Sequence, residues 1–325
     1  MKLLIRILFS FQFLAALGCV AQQSAPEQSN SEPTFKVDVH LVNVFATVTD
    51  EHGAPIGGLA KDQFEVLEDG IPQRIAIFSR ESQLPLSIIL AIDTSSSTRR
   101  DIHLELEAAR RFAHSILRKQ DGLALFQFAT EVDEVVPFTN DLAKVDRGIH
   151  DVTVGGATVM YDAIYLAADT LINRQGRKVL VLITDGGDTT SSTSYQEALR
   201  AAQQSEALVY SIIVVPVEAS AGRNTGGEHA LIQLSTDTGG KYYYAANMAE
   251  VEKAFAEISD ELRTQYLLAY YPNRRLARSD FRTIEVLVHP LVAIAGSSGS
   301  GDAQKSAEQR FIVRHRKGYY TSKLH

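Results

Sequence analysis

The chain has 325 residues, a formal net charge of −7 and 45% hydrophobic residues, with one cysteine and nine histidines. That length buries a large core and sets a prior of two domains. The acidic balance excludes a general nucleic-acid binder, which needs a basic surface. Cys19 is the lone cysteine, and if the leader ends at Ala21 the mature chain has none, which excludes disulfides, cysteine-ligated metal and cysteine nucleophiles from it.

Residues 1–21 read as a leader. Lys2 and Arg6 precede an apolar stretch from Ile7 to Leu17, and small residues follow through Gly18-Cys19-Val20-Ala21. This is the order of a secretory signal peptide, so the protein is expected in the periplasm or secreted. Cleavage after Ala21 fits a small-x-small rule. A lipid anchor on Cys19 is the alternative, although the usual Leu three residues before the Cys is Ala16. No later segment is long and apolar enough for a transmembrane helix. Residues 22–34, rich in Gln, Ser, Glu and Pro, read as a disordered tether.

Residues 35–84 read as β structure. Val37, Val39 and Leu41 alternate, and Val42, Val44, Ala46 and Val48 alternate in the opposite phase, which predicts a bulge or two short strands. Asp69-Gly70 predicts a hairpin whose second arm runs through Ile75 to Phe78.

Over residues 85–265 strands and helices alternate. Leu86–Asp93, Leu123–Ala129, Lys178–Thr184 and Leu208–Val215 are nearly continuous apolar runs, as strands buried on both faces are. Helices are expected at Asp101–Lys119, Asp141–His150, Thr158–Asn173, Ser194–Glu206, His229–Thr236 and Met248–Arg263. Lys241–Tyr244 reads as a further strand. Val132–Phe138 reads as an antiparallel edge strand. The pattern predicts an α/β fold with a doubly wound, mostly parallel, Rossmann-like sheet. Residues 266–325 return to β, with a mobile loop at 291–309. These last strands are expected to pair with the 35–84 segment, giving a small antiparallel β domain built from both chain ends with the α/β domain inserted.

Three loops carry oxygen donors. They are Asp93-x-Ser95-x-Ser97, the Gly155-Gly156-Ala157-Thr158 stretch before a helix, and Thr184-Asp185-Gly186. In open α/β sheets ligands bind at the carboxyl ends of strands. Carboxylates and hydroxyls suit a hard divalent cation: Mg²⁺, with Mn²⁺ or Ca²⁺ as substitutes. Two carboxylates and three neutral hydroxyls leave such an ion electrophilic towards an outside carboxylate.

This set resembles the metal-ion-dependent adhesion site of the von Willebrand factor type A family. The resemblance covers roughly Leu86 to Tyr271, and all five motif positions match. It implies that Asp93, Ser95 and Ser97 line the ion, that Thr158 enters when ligand binds, and that Asp185 acts through water. The flanks are similar to bacterial exported proteins called VWFA-related. The carrying residues are Val48-Thr-Asp50, Gly53-x-Pro55, Gly58-Leu59 and Phe64-x-Val66-x-Glu68-Asp69-Gly70. At the other end they are Tyr266-x-Leu268-x-Tyr270-Tyr-Pro272 and Arg316-Lys-Gly318-Tyr-Tyr320.

Blander roles stand beside these. Asp93 is also a helix-cap candidate, and Ser95 and Ser97 turn residues. Asp162 is expected to orient a helix start, and Asp188 to be a loop residue. The histidines show no zinc spacing, and no nucleophile elbow or phosphate loop is present. Tyr242-Tyr243-Tyr244 is expected to pack on both faces of an edge strand. Arg310, Arg314, His315, Arg316 and Lys317 read as a solvated strand face, with anionic lipid as the other candidate contact. The function expected is an exported, non-enzymatic binding or adhesion module whose Mg²⁺ is completed by the Asp or Glu of a protein or peptide partner. Nucleic acid is not expected as a partner, and a membrane only through Cys19. A metal-assisted phosphohydrolase and a structural envelope component with a vestigial site are the alternatives.

Overall fold

The computed structural model describes residues 41–80, 83–98, 102–215, 225–273, 281–289 and 311–321. The expected leader, the tether, Val37, Val39, Arg310 and the 291–309 loop lie outside them. The chain opens with β1 (Val42–Thr49), β2 (Phe64–Glu68), β3 (Ile71–Gln73) and β4 (Ile75–Ser79). The alternating stretch runs β5 (Leu86–Asp93), α1 (Ile102–Ile116), β6 (Gly122–Phe128), β7 (Val132–Thr139), α2 (Leu142–Asp151) and α3 (Met160–Ile172). It continues with β8 (Arg177–Thr184), α4 (Tyr195–Ser205), β9 (Leu208–Val214), α5 (Thr225–Thr238), β10 (Tyr242–Ala245) and α6 (Met248–Thr264). Strands β11 (Tyr266–Tyr270), β12 (Phe281–Val288), β13 (Ile312–Arg314) and β14 (Gly318–Tyr320) follow.

The α/β part is the fold read from the sequence. Its six-stranded sheet has the order β10-β9-β8-β5-β6-β7, and β7 is the strand that runs antiparallel. β5 lies inside the sheet, and every residue of it is buried. Ile88, Leu90 and Ile92 face the layer that contains α1 and α6. Ile89 and Ala91 face the layer of α3 and α4. Two covered faces are why the strand is apolar without alternation. Helix α1 turns Ile102, Leu106, Ala109, Phe112, Ala113 and Ile116 inward, spaced as one helical stripe requires. Helix α4 starts on a reciprocal cap, in which Ser194 N–H donates to Glu197 Oε2 (2.9 Å) and Glu197 N–H to Ser194 Oγ (3.3 Å).

Two further four-stranded sheets, β13-β1-β11-β4 and β14-β12-β2-β3, share one core. Val42, Val44, Ala46 and Val48 of β1 meet Phe64 and Val66 of β2, Leu268 and Tyr270 of β11, and Ile284 and Val286 of β12. Strands from the two ends of the chain pair directly, β1 with β11 and β13, and β2 with β12. Buried Glu68 accepts hydrogen bonds from the Tyr270 (2.8 Å) and Tyr319 (2.9 Å) hydroxyls.

Three details differ from the sequence reading. Asp69 (φ 50°) and Gly70 (φ 75°) make the expected tight turn, but the returning arm is only β3. At Arg74 the chain crosses to the other sheet, where β4 pairs with β11. Pro72 lacks an N–H and confines β3 to an edge, while Ile75 belongs to the shared core. In β10 only Tyr243 of the three tyrosines is buried; Tyr242 and Tyr244 are 37% and 43% exposed. Finally, the basic run is not a solvated face. Arg314 pairs with Glu261, Arg316 with Glu206 and Lys317 with Asp237, and Arg316 is buried.

Glu261 of α6 is the knot of this junction. Its carboxylate accepts from Tyr210 Oη of β9 (2.7 Å), from Thr47 Oγ1 of β1 (3.1 Å) and from Arg314 of β13. Replacing it leaves the Arg314 charge without its carboxylate and the Tyr210 and Thr47 hydroxyls without their acceptor. Glu261→Ala is therefore expected to cost about 3–5 kcal/mol in urea unfolding, with the loss of a cooperative transition shared by the two parts.

Candidate metal centre

The strand that both cores cover ends in an acid. Asp93 is fully buried. Its Oδ1 accepts the Ser95 N–H (2.9 Å) and its Oδ2 accepts the Thr184 hydroxyl (2.7 Å). Burial pushes its pKa up to about 6; the bonds from Ser95 and Thr184 oppose that, and the charge of Asp185 adds to it. The buried and half-buried ion pairs of arginine and lysine among the described residues involve Glu68, Asp69, Glu206, Glu261 and Asp237, not Asp93 or Asp185.

The loop after β5 curls tightly. Thr98 Oγ1 donates to the Asp93 and Ser95 carbonyls (3.0 Å each), and Ser95 Oγ lies 2.9 Å from Ser97 Oγ. The second loop is strapped to the first: Gly155 N–H donates to Thr94 O (2.8 Å), and Ser96 N–H to Gly156 O (3.2 Å). A Cβ on Gly155 would stand 2.3 Å from the Ala129 Cβ, so glycine lets the loops approach. The third loop clasps the second. Thr189 N–H donates to Thr158 O and Thr158 N–H to Thr189 Oγ1, both at 2.9 Å. Gly187 N–H donates to Asp185 Oδ1 (2.9 Å), and a Cβ on Gly187 would lie 3.0 Å from that oxygen and 4.0 Å from Thr158 Oγ1. Asp185 and Thr158 thus present their oxygens to one small space. All five residues singled out in the sequence sit on three interlocked loops at the carboxyl ends of β5 and β8.

The neighbouring acids shape the loops. Asp162 accepts from Thr193 N–H (2.8 Å) and Ser192 N–H (3.0 Å). Burial would raise its pKa, but these bonds hold it below the ordinary carboxylate range. Asp188 accepts from Ser191 Oγ (2.6 Å) and Tyr161 N–H (3.3 Å) at the start of α3. Two residues of the site escaped the sequence reading, Thr98 and Thr189, and Thr184 was placed in the third loop but not as the partner of Asp93. Thr184 had a signal, being a hydroxyl at the end of an apolar strand.

Among the described residues no three His, Cys, Asp or Glu gather as a metal-holding group. The donors here are two carboxylates and neighbouring hydroxyls, a set that fits a hard, oxygen-loving dication. A buried carboxylate without a cation is costly, and a dication there would offset that cost.

Residues 88–189 match the model of the von Willebrand factor type A domain. That stretch has the pattern of a von Willebrand factor type A domain. The match runs from within β5 past the Asp185 loop and includes all five residues of the candidate centre. No curated protein matches the chain. The type A domain is similar to several solved structures. The conserved hypothetical protein BatB from Bacteroides thetaiotaomicron is 20% identical, over 55% of this chain and 100% of that one, with a TM-score of 0.45. The vWF domain of the type V pili tip protein Mfa5 from Porphyromonas gingivalis is 14% identical, over 55% and 95%, with a TM-score of 0.46. A von Willebrand factor type A protein from Catenulispora acidiphila is 10% identical, over 78% and 71%, with a TM-score of 0.49.

The raised pKa of Asp93 has a signed consequence for the chelated protein. Its folded value of about 6 exceeds the ordinary 3.8, so its ionisation destabilises the fold as pH rises between those values and fully above them. Asp93→Asn removes that charge and retains an acceptor. In EDTA at pH 8 the variant is expected to be more stable than wild type, by at most about 3 kcal/mol. Urea melts check this, with equality of the two at pH 4.

Proposed function

We propose that this protein is an exported, metal-dependent binding module. Asp93, Ser95, Ser97, Thr158 and Asp185 of its type A domain would hold Mg²⁺, with Mn²⁺ or Ca²⁺ as substitutes. The bound ion supplies a Lewis-acid position for an Asp or Glu carboxylate from a protein or peptide partner. The observation that carries this reading is the fully buried Asp93 beside the charge of Asp185, with no lysine or arginine of the described residues in an ion pair with it.

The chain's own residues divide the work. Asp93 brings a negative charge that no lysine or arginine among the described residues pairs with. Thr184 and Ser95 N–H hold that carboxylate in one orientation. Ser97 is exposed and Thr158 nearly buried, so the donor set reaches from the protein interior to the surface. The hydrogen bonds made by the described site residues link carboxylates, hydroxyls and backbone groups, with no lysine, histidine or cysteine among them. A hydroxyl nucleophile is commonly activated by such a base beside it; here the hydroxyls of Ser95 and Ser97 face each other and the Asp93 carboxylate is taken up by Ser95 N–H and Thr184, so binding is favoured over turnover. Export is read from the leader, and among the described residues no helix is long and apolar enough to cross a membrane.

Thermal melts with and without Mg²⁺ test the proposal. Saturating metal at about 100 times its Kd is expected to stabilise the wild type by about 2.7 kcal/mol. Asp93→Ala should abolish that response, and Ser97→Ala should weaken it. Unchanged melting of the wild type across millimolar Mg²⁺, Mn²⁺ and Ca²⁺ sinks the metal reading. With metal binding established, capture of an envelope protein that EDTA does not reverse sinks the partner-carboxylate reading.

A further inference from the structure

We infer that His315 is a proton-operated latch: its neutral ring ties the C-terminal ribbon to β12, and its protonated ring releases that tie. The inference stands apart from the metal centre.

The ribbon changes sheets at this residue. β13 pairs with β1 in one sheet, β14 pairs with β12 in the other, and His315-Arg316-Lys317 is the crossing between them. His315 Nε2 lies 3.1 Å from the Val286 backbone N, and Nδ1 lies 2.8 Å from the Arg316 carbonyl oxygen. A backbone N–H only donates and a carbonyl only accepts. Both contacts are therefore satisfied by one form of the ring, neutral, with its proton on Nδ1. A second proton on Nε2 would set two N–H groups head to head and leave Val286 N–H without its acceptor.

The charges around the ring point the same way. Protonation makes Arg314-His315-Arg316-Lys317 four adjacent cations. Arg314 is engaged by Glu261, Arg316 by Glu206 and Lys317 by Asp237. From β12 the facing carboxylate is Glu285, which is exposed and so screened by solvent. From the turn after α5 comes Gly239, where a Cβ would lie 2.4 Å from Arg316 N and 2.5 Å from His315 C. Lys317 N–H donates to Asp237 O (3.0 Å) and Arg314 Nη1 to Gly240 O (3.1 Å). The ribbon is seated backbone to backbone on the end of α5 and the turn after it. Burial depresses the ring's pKa, ahead of the opposing bond to Arg316 O and the attraction of Glu285.

The sign follows. A histidine depressed in the folded state contributes stability that is complete above its unfolded value of about 6.5 and is lost as pH falls towards the folded one. The experiment is amide hydrogen exchange on the full chain, with NMR titration of the His315 ring. Protection of the Val286 amide, corrected for intrinsic rate, should fall about tenfold per pH unit below about 6.5. The Leu90 amide in β5 should not follow it. His315→Gln keeps an acceptor but cannot titrate, and its Val286 protection should be flat with pH. A flat wild-type profile, the same slope in His315→Gln, or a wild-type ring carrying its neutral proton on Nε2 overturns the latch. If the variant does not fold, the wild-type ring decides. A neutral ring with its proton on Nδ1 that titrates together with the Val286 protection supports the latch, and separate titrations overturn it.

Discussion

The constraint that organises this molecule is that β5 lies inside the six-stranded sheet with both faces covered. A strand in that position has no wet side, so whatever residue ends it is taken out of water with it. Here that residue is Asp93. The loops beyond it then have two tasks, to satisfy the carboxylate's oxygens and to close over them without supplying bulk. Hydroxyls and glycines do both. Thr184 reaches Asp93 from the neighbouring strand, Thr98 bends the loop back on itself, and Gly155 lets the second loop lie against Ala129.

The sandwich occupies the opposite end of the same sheet. Gly176, Lys178 and Leu208, at the starts of β8 and β9, line a small cavity with Asn43 and Phe45 of β1 and Arg316 of the ribbon. Loops at the carboxyl ends are thereby left clear of the sandwich. Ion pairs as buried as Glu261–Arg314 add little net stability, because desolvation offsets attraction. Their effect is to make other seatings costly, since any shift leaves a charge buried and unpaired. The junction therefore fixes orientation more than it adds affinity.

The parts legible in the sequence were those whose signal is local. Continuous apolar runs identified the buried strands, Asp69-Gly70 identified the tight turn, and Asp-x-Ser-x-Ser after such a run identified the first loop. The parts that were not legible depend on partners far along the chain. Arg314 and Glu261 are 53 residues apart, and Arg316 and Asn43 are 273 apart. Nothing around Arg314 or Arg316 distinguishes a buried clamp from a solvated face. Arg74 is a single residue between two strands, so β3 and β4 read as one arm until the shared core draws Ile75 away. The contact of Thr184 with Asp93 was hidden for another reason: threonine is an ordinary strand residue, and only the adjacency of β8 to β5 gives its hydroxyl a carboxylate to hold.

Comparison among the buried acids shows what is particular about Asp93. Glu261 has Arg314, and Glu68 has Arg282 at 3.9 Å as well as two tyrosine hydroxyls. Asp121 accepts two backbone N–H groups and interacts with the charge of Arg177. Near each of these three acids the fold places an arginine. At Asp93 the groups acting on the carboxylate are burial, Ser95, Thr184 and a second acid, Asp185. Against those three acids, Asp93 is set with a second acid among hydroxyls, an arrangement that suits positive charge from outside. That contrast lies within one molecule, and it is the physical ground for reading the loops as a cation site rather than as a capped turn.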